Sequence, residues 1–241
     1  MRTCARRSSE VGFAKTPNGE RDVTLLRQIW TYAAANPQAV ATSARAHVEL
    51  SFAALAIAAA ICIPLGVWTS RHAAGTPVVG VVTALRSVPS LAVLALVMPV
   101  LGLGFRPALV ALVLLACPPI LINTDLAYRG IDAAVKEAAV GMGMRGGQVL
   151  RRVETPLALP VIITGVRTAA VEVIASATLA AFIGGGGFGD LIIQGLQVDD
   201  TAELLLGALC VGLLALVTEG GLSALARAAS APQQREPSWA T

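Results

Sequence analysis

The sequence predicts an all-α protein that spans a membrane, and its composition and apolar patterning carry this prediction. Hydrophobic residues fill 55% of the 241 positions, only 14% of residues are charged, and the mean hydropathy is +0.71. About a quarter of the residues in a soluble domain are charged, so this balance argues against an ordinary soluble protein. The apolar residues form long stretches, each near the ~20 residues that a helix needs to cross a bilayer. Helices are expected because a span surrounded by lipid must satisfy its own backbone groups.

The apolar stretches predict five spans. They cover residues 50–70, 87–105, 107–124, 157–183 and 204–226. The second can be read in two ways, because Arg86 and Pro89 interrupt a longer apolar run over residues 75–104. We read this run as one kinked span; two short spans there would make the total six.

Loop charges predict the orientation, because short loops rich in Lys and Arg stay on the cytoplasmic side. Residues 129–157 contain five basic residues, whereas residues 184–203 contain four acidic residues and no basic one. Residues 129–157 and the tail, residues 227–241, are therefore expected in the cytoplasm. With five spans, the N-terminus is then expected outside. Seven basic residues within residues 1–47 oppose this orientation.

The N-terminal region is expected to lie apart from the membrane domain. Residues 1–22 are polar and contain no apolar core of a signal peptide, which predicts a disordered extension or a misassigned start. Residues 23–47 form an amphipathic lead-in, and residues 48–226 form the transmembrane domain.

A polar segment punctuated by glycines separates the third and fourth predicted spans. It begins with Glu137, Ala138 and Ala139, continues to Gly143, and ends at the prolines Pro156 and Pro160. This pattern resembles the EAA loop of ABC importer permeases, the segment that docks on the ATP-hydrolysing subunit. We call residues 129–157 the EAA loop. The resemblance implies that the following residues couple the permease to its ATPase: Glu137, Ala138, Ala139, Gly143, Arg151, Pro156 and Pro160. The alternative is an amphipathic helix that rests on lipid headgroups.

The residues themselves predict a short helix in this loop. Residues 133–142 are good helix formers, and their small apolar side chains recur at three-to-four spacing, which places them on one stripe. Gly143, Gly146 and Gly147 are expected to end the helix.

A wider resemblance covers about residues 48–226. The segments SVPSLAVLALVMPVLGLG, CPPILINTDLAYRGID and GVRTAAVEVIASATLAAFIGGGGFGDLI are similar to permeases of the osmoprotectant group of ABC importers, which move glycine betaine, carnitine, choline or related solutes. This implies the five-span core of the binding-protein-dependent ABC importer permease type, in a prokaryotic plasma or inner membrane. The implied partners are ABC ATPase subunits that hold ATP and magnesium, a second permease, identical or a paralogue, and an extracytoplasmic solute-binding protein.

Two other kinds of function are weighed against this one. The first is a permease of the same architecture for another small solute, such as an amino acid. The second is an intramembrane hydrolase or a helical scaffold. The sequence contains no GxxxxGK[ST] loop, so ATP is expected to be hydrolysed by another chain. The four cysteines, His47 and His72 lack metal-ligand spacing, so we predict no metal site, cofactor or enzymatic site in this chain. The basic residues are scattered and the net charge is only +3, so no nucleic-acid partner is expected.

Two charged residues within the fourth predicted span are candidates for the translocation pathway. A charge at mid-span costs at least ~2.5 kcal/mol, so Arg167 and Glu172 must face other helices or the pathway. We predict that they line the pathway together with Thr178 and Phe182; the alternative for the two charged residues is a pair of polar locks between helices. Arg86 and Asp125, near the ends of neighbouring spans, are expected to form a structural salt bridge.

A glycine run follows the fourth predicted span. It comprises Gly184, Gly185, Gly186, Gly187 and Gly189. The run follows no strand, so a dinucleotide site is rejected. We predict a gate or hinge there and at Pro89, because glycine permits sharp changes of backbone direction and proline kinks a helix.

Overall fold

A computed structural model of the chain describes residues 18–230, with side-chain placement for residues 25–228. Most of the predicted N-terminal extension, residues 1–17, lies outside this part. Every regular element between residues 18 and 230 is helical, which confirms the predicted all-α class. The helices are α1 (Asn18–Ala35), α2 (Pro37–Arg71), α3 (Gly75–Leu85), α4 (Ser90–Leu101), α5 (Phe105–Arg129), α6 (Ala133–Gly141), α7 (Gly146–Val149), α8 (Thr155–Ala177), α9 (Phe188–Gln197) and α10 (Thr201–Ser230).

Four described helical stretches are long and apolar enough to cross a membrane, and a bent pair can supply a fifth crossing. The four are Pro37–Arg71, Phe105–Arg129, Gly146–Ile183 and Thr201–Ala228. Helices α3 and α4 qualify only together, and they meet at an angle of 99°. The bend falls at residues 86–89, where Arg86 ends α3 and Pro89 precedes α4. The predicted single, kinked second span therefore appears as two short helices.

Contacts at the two ends of the bundle establish the direction of each helix. At one end, Arg129 of α5 donates to the Thr69 carbonyl of α2 at 2.8 Å. At the other end, the Gly104 amide before α5 donates to the Ile183 carbonyl beyond α8 at 2.7 Å. We call these the EAA-loop end and the glycine-turn end, the glycine turn being residues 184–187. Helices α2 and α5 thus run towards the EAA-loop end and α8 runs away from it, so α3 and α4 together return the chain across the membrane. Helix α10 also begins at the glycine-turn end, because a Cβ atom on Gly207 would lie 3.0 Å from the Phe188 carbonyl oxygen.

Two helix boundaries differ from the predicted ones. Helix α2 begins at Pro37, well before residue 50, so residues 37–47 of the predicted lead-in belong to the same helix as the first span. The fourth span was predicted from residue 157, but its helix is continuous from Gly146. A π-helical turn, Leu150–Glu154, joins α7 to α8, and the Thr155 amide bonds to the Leu150 carbonyl five residues earlier. The turn lies just before Pro156, whose missing N–H cannot take part in a regular helical ladder.

Small residues let the central helices α2, α5 and α8 approach closely. A Cβ atom on Gly66 would lie 2.6 Å from the Cβ of Thr124, and one on Gly165 would lie 2.6 Å from the Cβ of Asn123. Backbones that come this near exclude larger side chains, so these glycines position α5 between its two neighbours. The largest fully buried apolar side chains complete this core: Leu50, Leu94, Leu112, Ile120, Leu121, Val173 and Ile174.

The EAA-loop end and the glycine-turn end lie on opposite sides of the bundle, which leads to a topology prediction. In a background without native cysteines, Asp199→Cys should react from outside the cell with a membrane-impermeant thiol reagent, because residue 199 is exposed at the glycine-turn end. Gln148→Cys, exposed in α7 at the opposite end, should react only after the membrane is opened. Labelling in the reverse pattern would contradict the proposed orientation.

Candidate functional site

Helix α6 presents the EAA residues at one end of the bundle. Its start is fixed by Asp132, whose carboxylate accepts the Ala134 amide at 3.0 Å. Its end is fixed by Gly143, which has a φ of +81°. The Gly143 amide bonds to the Val140 carbonyl at 2.9 Å, and the Met144 amide bonds to the Ala139 carbonyl at 3.2 Å. This left-handed termination suits a residue without Cβ. The helix therefore ends before Gly143 as predicted, whereas Gly146 and Gly147 begin α7.

The predicted apolar stripe of α6 is divided between two faces. Ala139 is 2% exposed, in a helix that lies against α7 and the π-helical turn, whereas Glu137 and Ala138 are exposed. Val140 and Met142 are 59% and 76% exposed. The outer surface of α6 thus combines apolar side chains with one carboxylate, and the inner surface holds the helix in place.

The remaining candidate coupling residues lie on the continuous helical stretch Gly146–Ile183 that follows α6. Arg151 is exposed in the π-helical turn, and Pro156 is exposed in the first turn of α8. Pro160 is half-buried, and its carbonyl accepts the Thr164 hydroxyl at 3.0 Å. These residues share the EAA-loop end with α6, but they belong to a different helix.

An ionic cluster around a buried carboxylate beneath α6 was not identified from the sequence. Its centre is Glu154, which is 6% exposed and forms an ion pair with Arg71. Lys136 of α6 lies 3.9 Å from the second carboxylate oxygen of Glu154 and donates to the Tyr128 carbonyl at 3.2 Å. The Tyr128 hydroxyl lies 3.0 Å from the Thr155 hydroxyl. We call these five residues the Glu154 cluster. Its ion pairs join residues far apart in the chain, so sequence spacing could not reveal them.

A second polar group at the same end corrects the predicted pairing of Asp125. The Asp125 carboxylate accepts Arg129 Nε at 2.7 Å and the Thr69 hydroxyl at 2.8 Å. Asp125 and Arg129 lie one helical turn apart on α5, so they pair more readily than Asp125 and Arg86 could. The predicted Arg86–Asp125 salt bridge is wrong; Arg86 is exposed at the bend between α3 and α4.

The structure separates the two charged pathway candidates. Arg167 Nε lies 3.1 Å from a Glu219 carboxylate oxygen, and Arg167 Nη1 donates to the Ser223 hydroxyl at 3.0 Å. Arg167 therefore connects α8 to α10. This contact is of the kind expected if Arg167 is a polar lock between helices. Glu172 is half-buried on α8, beside the exposed Val171.

The other two pathway candidates lie beyond the end of α8. Thr178 begins a 3-10 turn, Thr178–Ile183, and its hydroxyl donates to the Ala175 carbonyl at 2.7 Å. Phe182 is 64% exposed in the same turn. Exposed residues recur towards the opposite end of α8, at Thr164 and Thr168. One side of α8 and of its 3-10 extension is therefore left uncovered by this chain.

The glycine turn reverses the chain between α8 and α9. Gly184, Gly186 and Gly187 have φ values of +74°, +76° and +98°. A Cβ atom on Gly187 would lie 2.9 Å from His47 Nδ1, and one on Gly189 would lie 2.1 Å from the Thr178 carbonyl oxygen. The predicted hinge residues at 184–189 thus form a close-packed turn. Pro89, the other predicted hinge residue, lies at the bend between α3 and α4.

His47 fixes the glycine turn to the bundle. Its side chain is fully buried, Nδ1 accepts the Phe188 amide at 3.3 Å, and Nε2 lies 3.1 Å from the Ile174 carbonyl. Because Nδ1 accepts and Nε2 faces a carbonyl, the geometry fits the neutral imidazole with its proton on Nε2. These contacts make His47 a structural residue of the bundle. Among the residues with described side chains, no group of three potential ligands could hold a metal ion.

Comparison with known proteins relates the chain to membrane transport systems. A family model described as "Binding-protein-dependent transport system inner membrane component" matches residues 62–230. The carnitine transport permease protein OpuCB of Listeria monocytogenes is 43% identical over 180 residues, which cover 74% of this chain and 83% of that protein. The choline transport system permease protein OpuBB of Bacillus subtilis is 42% identical over 175 residues, 72% of this chain and 80% of that protein.

Two further comparisons concern a third permease sequence and a solved structure. The osmoprotectant import permease protein OsmW of Salmonella typhimurium is 41% identical over 179 residues, 72% of this chain and 83% of that protein. An inward-facing structure of the MetNI methionine ABC transporter superposes with a TM-score of 0.69 over 89% of this chain and 99% of that chain, at 19% identity. The identity to this structure is low, so the likeness supports the fold alone.

Proposed function

Because the chain belongs to the family of binding-protein-dependent transport system inner membrane components, we propose that it is the permease subunit of an ABC importer for osmoprotectants. The solutes are glycine betaine, carnitine, choline or a related compound. The observation that carries this proposal is the 41–43% identity to permeases named for carnitine, choline and osmoprotectant transport. The methionine transporter, at 19% identity, gives no comparable support for an amino acid.

In this proposal, α6 docks on the ATPase subunit in the cytoplasm. The exposed Val140 and Met142 supply apolar contact, and the exposed Glu137 supplies a charge that can fix orientation. A helix resting on lipid headgroups would favour basic residues beside its apolar face, but the centre of this surface carries Glu137. ATP and magnesium bind to the ATPase, and this chain contributes no enzymatic site.

A second permease copy, identical or a paralogue, completes the pathway. One chain carries one α6, so two ATPase subunits require two permeases related by a pseudo-twofold axis. The uncovered side of α8 supports this arrangement, because the half-buried carboxylate of Glu172 lies beside it within a membrane helix. A carboxylate there is less costly against a water-filled path or a second protein than against lipid tails.

The proposed pathway follows this side of α8. Glu172 lies along it, and Thr178 and Phe182 lie at its outer end, next to the glycine turn and an extracytoplasmic binding protein. The sequence is only 4% aromatic, and quaternary ammonium groups are held tightly by aromatic cages. The permease is thus suited to pass the solute on, while the binding protein selects it.

Solute-dependent ATP hydrolysis tests the proposal. The permease should be reconstituted in vesicles with its ATPase subunits, its permease partner and its binding protein. Hydrolysis should rise when glycine betaine, carnitine or choline is added with the binding protein, and methionine should have no effect. Stimulation by methionine and by none of the three osmoprotectants would contradict the proposed solute class.

A further inference from the structure

We propose that Glu154 is the positioning residue that transmits movements of α6 to the membrane helices. The inference rests on the proposed function, because it takes α6 as the surface that docks on the ATPase. It goes beyond that function by assigning the transmission step to one buried carboxylate, outside the surface that contacts the ATPase.

The two oxygens of Glu154 face different elements. One pairs with Arg71 at the last residue of α2. The other lies 3.9 Å from Nζ of Lys136, on α6. Glu154 itself ends the π-helical turn that leads into α8. One side chain therefore connects the docking helix with the first and fourth spans.

Burial makes these connections difficult to break one at a time. Only 6% of Glu154 is exposed, and if Lys136 is withdrawn, Arg71, which is itself partly exposed, is left to compensate this buried charge alone. If α6 were drawn away from the bundle, Lys136 would leave both Glu154 and the Tyr128 carbonyl, to which it donates at 3.2 Å. The bundle is therefore expected to follow α6 rather than separate from it.

The π-helical turn differs from a regular α-helix by one hydrogen-bond step, so an α-helical turn is the second arrangement that we infer for it. The amide and the hydroxyl of Thr155 both bond to the Leu150 carbonyl, the hydroxyl at 2.8 Å. A regular α-helix would shift the amide bond to the carbonyl of the next residue, which would turn the preceding segment by about 100° relative to α8. The Tyr128 hydroxyl, 3.0 Å from that of Thr155, and the ion pairs of Glu154 stabilise the observed arrangement. A cavity of about 340 Å³ beside Arg71, Lys136 and Glu154 leaves room for the side chains to exchange partners.

The test measures choline uptake per ATP hydrolysed by the complete complex in vesicles. Glu154→Gln removes the charge but keeps the size, so the ATPase should still co-purify and hydrolyse ATP, whereas uptake per ATP should fall about tenfold, a usual size for coupling between two sites. A role in folding alone would lower uptake and hydrolysis in proportion and leave their ratio unchanged, which would overturn the inference. Glu49→Gln is the control, because Glu49 forms an exposed ion pair with Arg45 near the glycine-turn end of α2.

Lys136→Gln keeps the inference testable if Glu154→Gln does not accumulate. This change leaves the pair between Arg71 and Glu154 intact, and it should also lower uptake per ATP. When both single variants accumulate, the double variant should be no worse than Glu154→Gln alone, because the two residues act through one contact. A parental ratio in Lys136→Gln, or additive losses in the double variant, would overturn the inference. If the parental complex imports another solute instead of choline, the proposed solute is wrong, and the same ratio measured with that solute still tests Glu154.

Discussion

Glu137→Lys and Gly143→Trp are each expected to lower solute transport about tenfold or more while the permease remains in the membrane at normal abundance. Glu137→Lys reverses the one charge at the centre of the exposed α6 surface. Gly143→Trp places a bulky residue at a φ of +81°, which costs about 1–2 kcal/mol in backbone strain and distorts the end of α6. Neither residue belongs to a membrane span. The measurement is ATP-dependent uptake in vesicles, together with the amount of ATPase that co-purifies.

Glu49→Lys is the matched control for the charge reversal. It introduces the same change on an exposed residue of α2 near the glycine-turn end, and it should transport at close to the parental rate. Transport at the parental rate by both α6 variants would contradict the docking assignment. If transport is lost while the ATPase still co-purifies at the parental level, α6 acts mainly by transmitting movement between the ATPase and the membrane helices, and it contributes little to the affinity between the two subunits.

Glu172→Gln is expected to lower the transport of choline relative to glycine betaine about tenfold. Choline carries a net positive charge, whereas glycine betaine carries its own carboxylate beside the ammonium group. Loss of a fixed negative charge on the pathway side of α8 should therefore affect choline more. The measurement is the ratio of the two uptake rates, with the co-purified ATPase as the test of assembly.

Glu219→Gln separates a pathway charge from a polar lock. Glu219 pairs with Arg167 across α8 and α10, so its replacement should affect the stability of the complex and leave the ratio of choline to betaine uptake unchanged. An unchanged ratio in Glu172→Gln would place the pathway elsewhere. A changed ratio in Glu219→Gln and not in Glu172→Gln would move the charged part of the pathway to α10.

The sequence predicted the helical class and the number of crossings because those properties depend on local composition and length. The kink at Pro89 and the end of α6 at Gly143 were also predictable, because each follows from the backbone geometry of a single residue. The start of the fourth helix at Gly146 was not predicted, because two glycines and three charged residues within residues 146–154 interrupt the apolar pattern of the span.

Contacts between distant residues explain most of what sequence reasoning missed. The sequence showed that His47 lacks the spacing of a metal ligand, but its bonds to Ile174 and Phe188 depend on how α2 meets the glycine turn. Glu154 followed two arginines in the sequence, yet its partners are Arg71 and Lys136. Arg167 was considered as a pathway residue or a lock, and only its partner on α10 shows the interhelical contact. Each case required the packing of the bundle.

Uptake of labelled glycine betaine, carnitine and choline into vesicles that contain the complete complex tests the central claim most directly. The binding protein is supplied on one side and ATP on the other, with a non-hydrolysable ATP analogue and labelled methionine as controls. We expect at least one of the three osmoprotectants to accumulate inside the vesicles only with ATP, and methionine to stay outside. Accumulation of methionine, or of no osmoprotectant although the binding protein stimulates ATP hydrolysis, would contradict the claim.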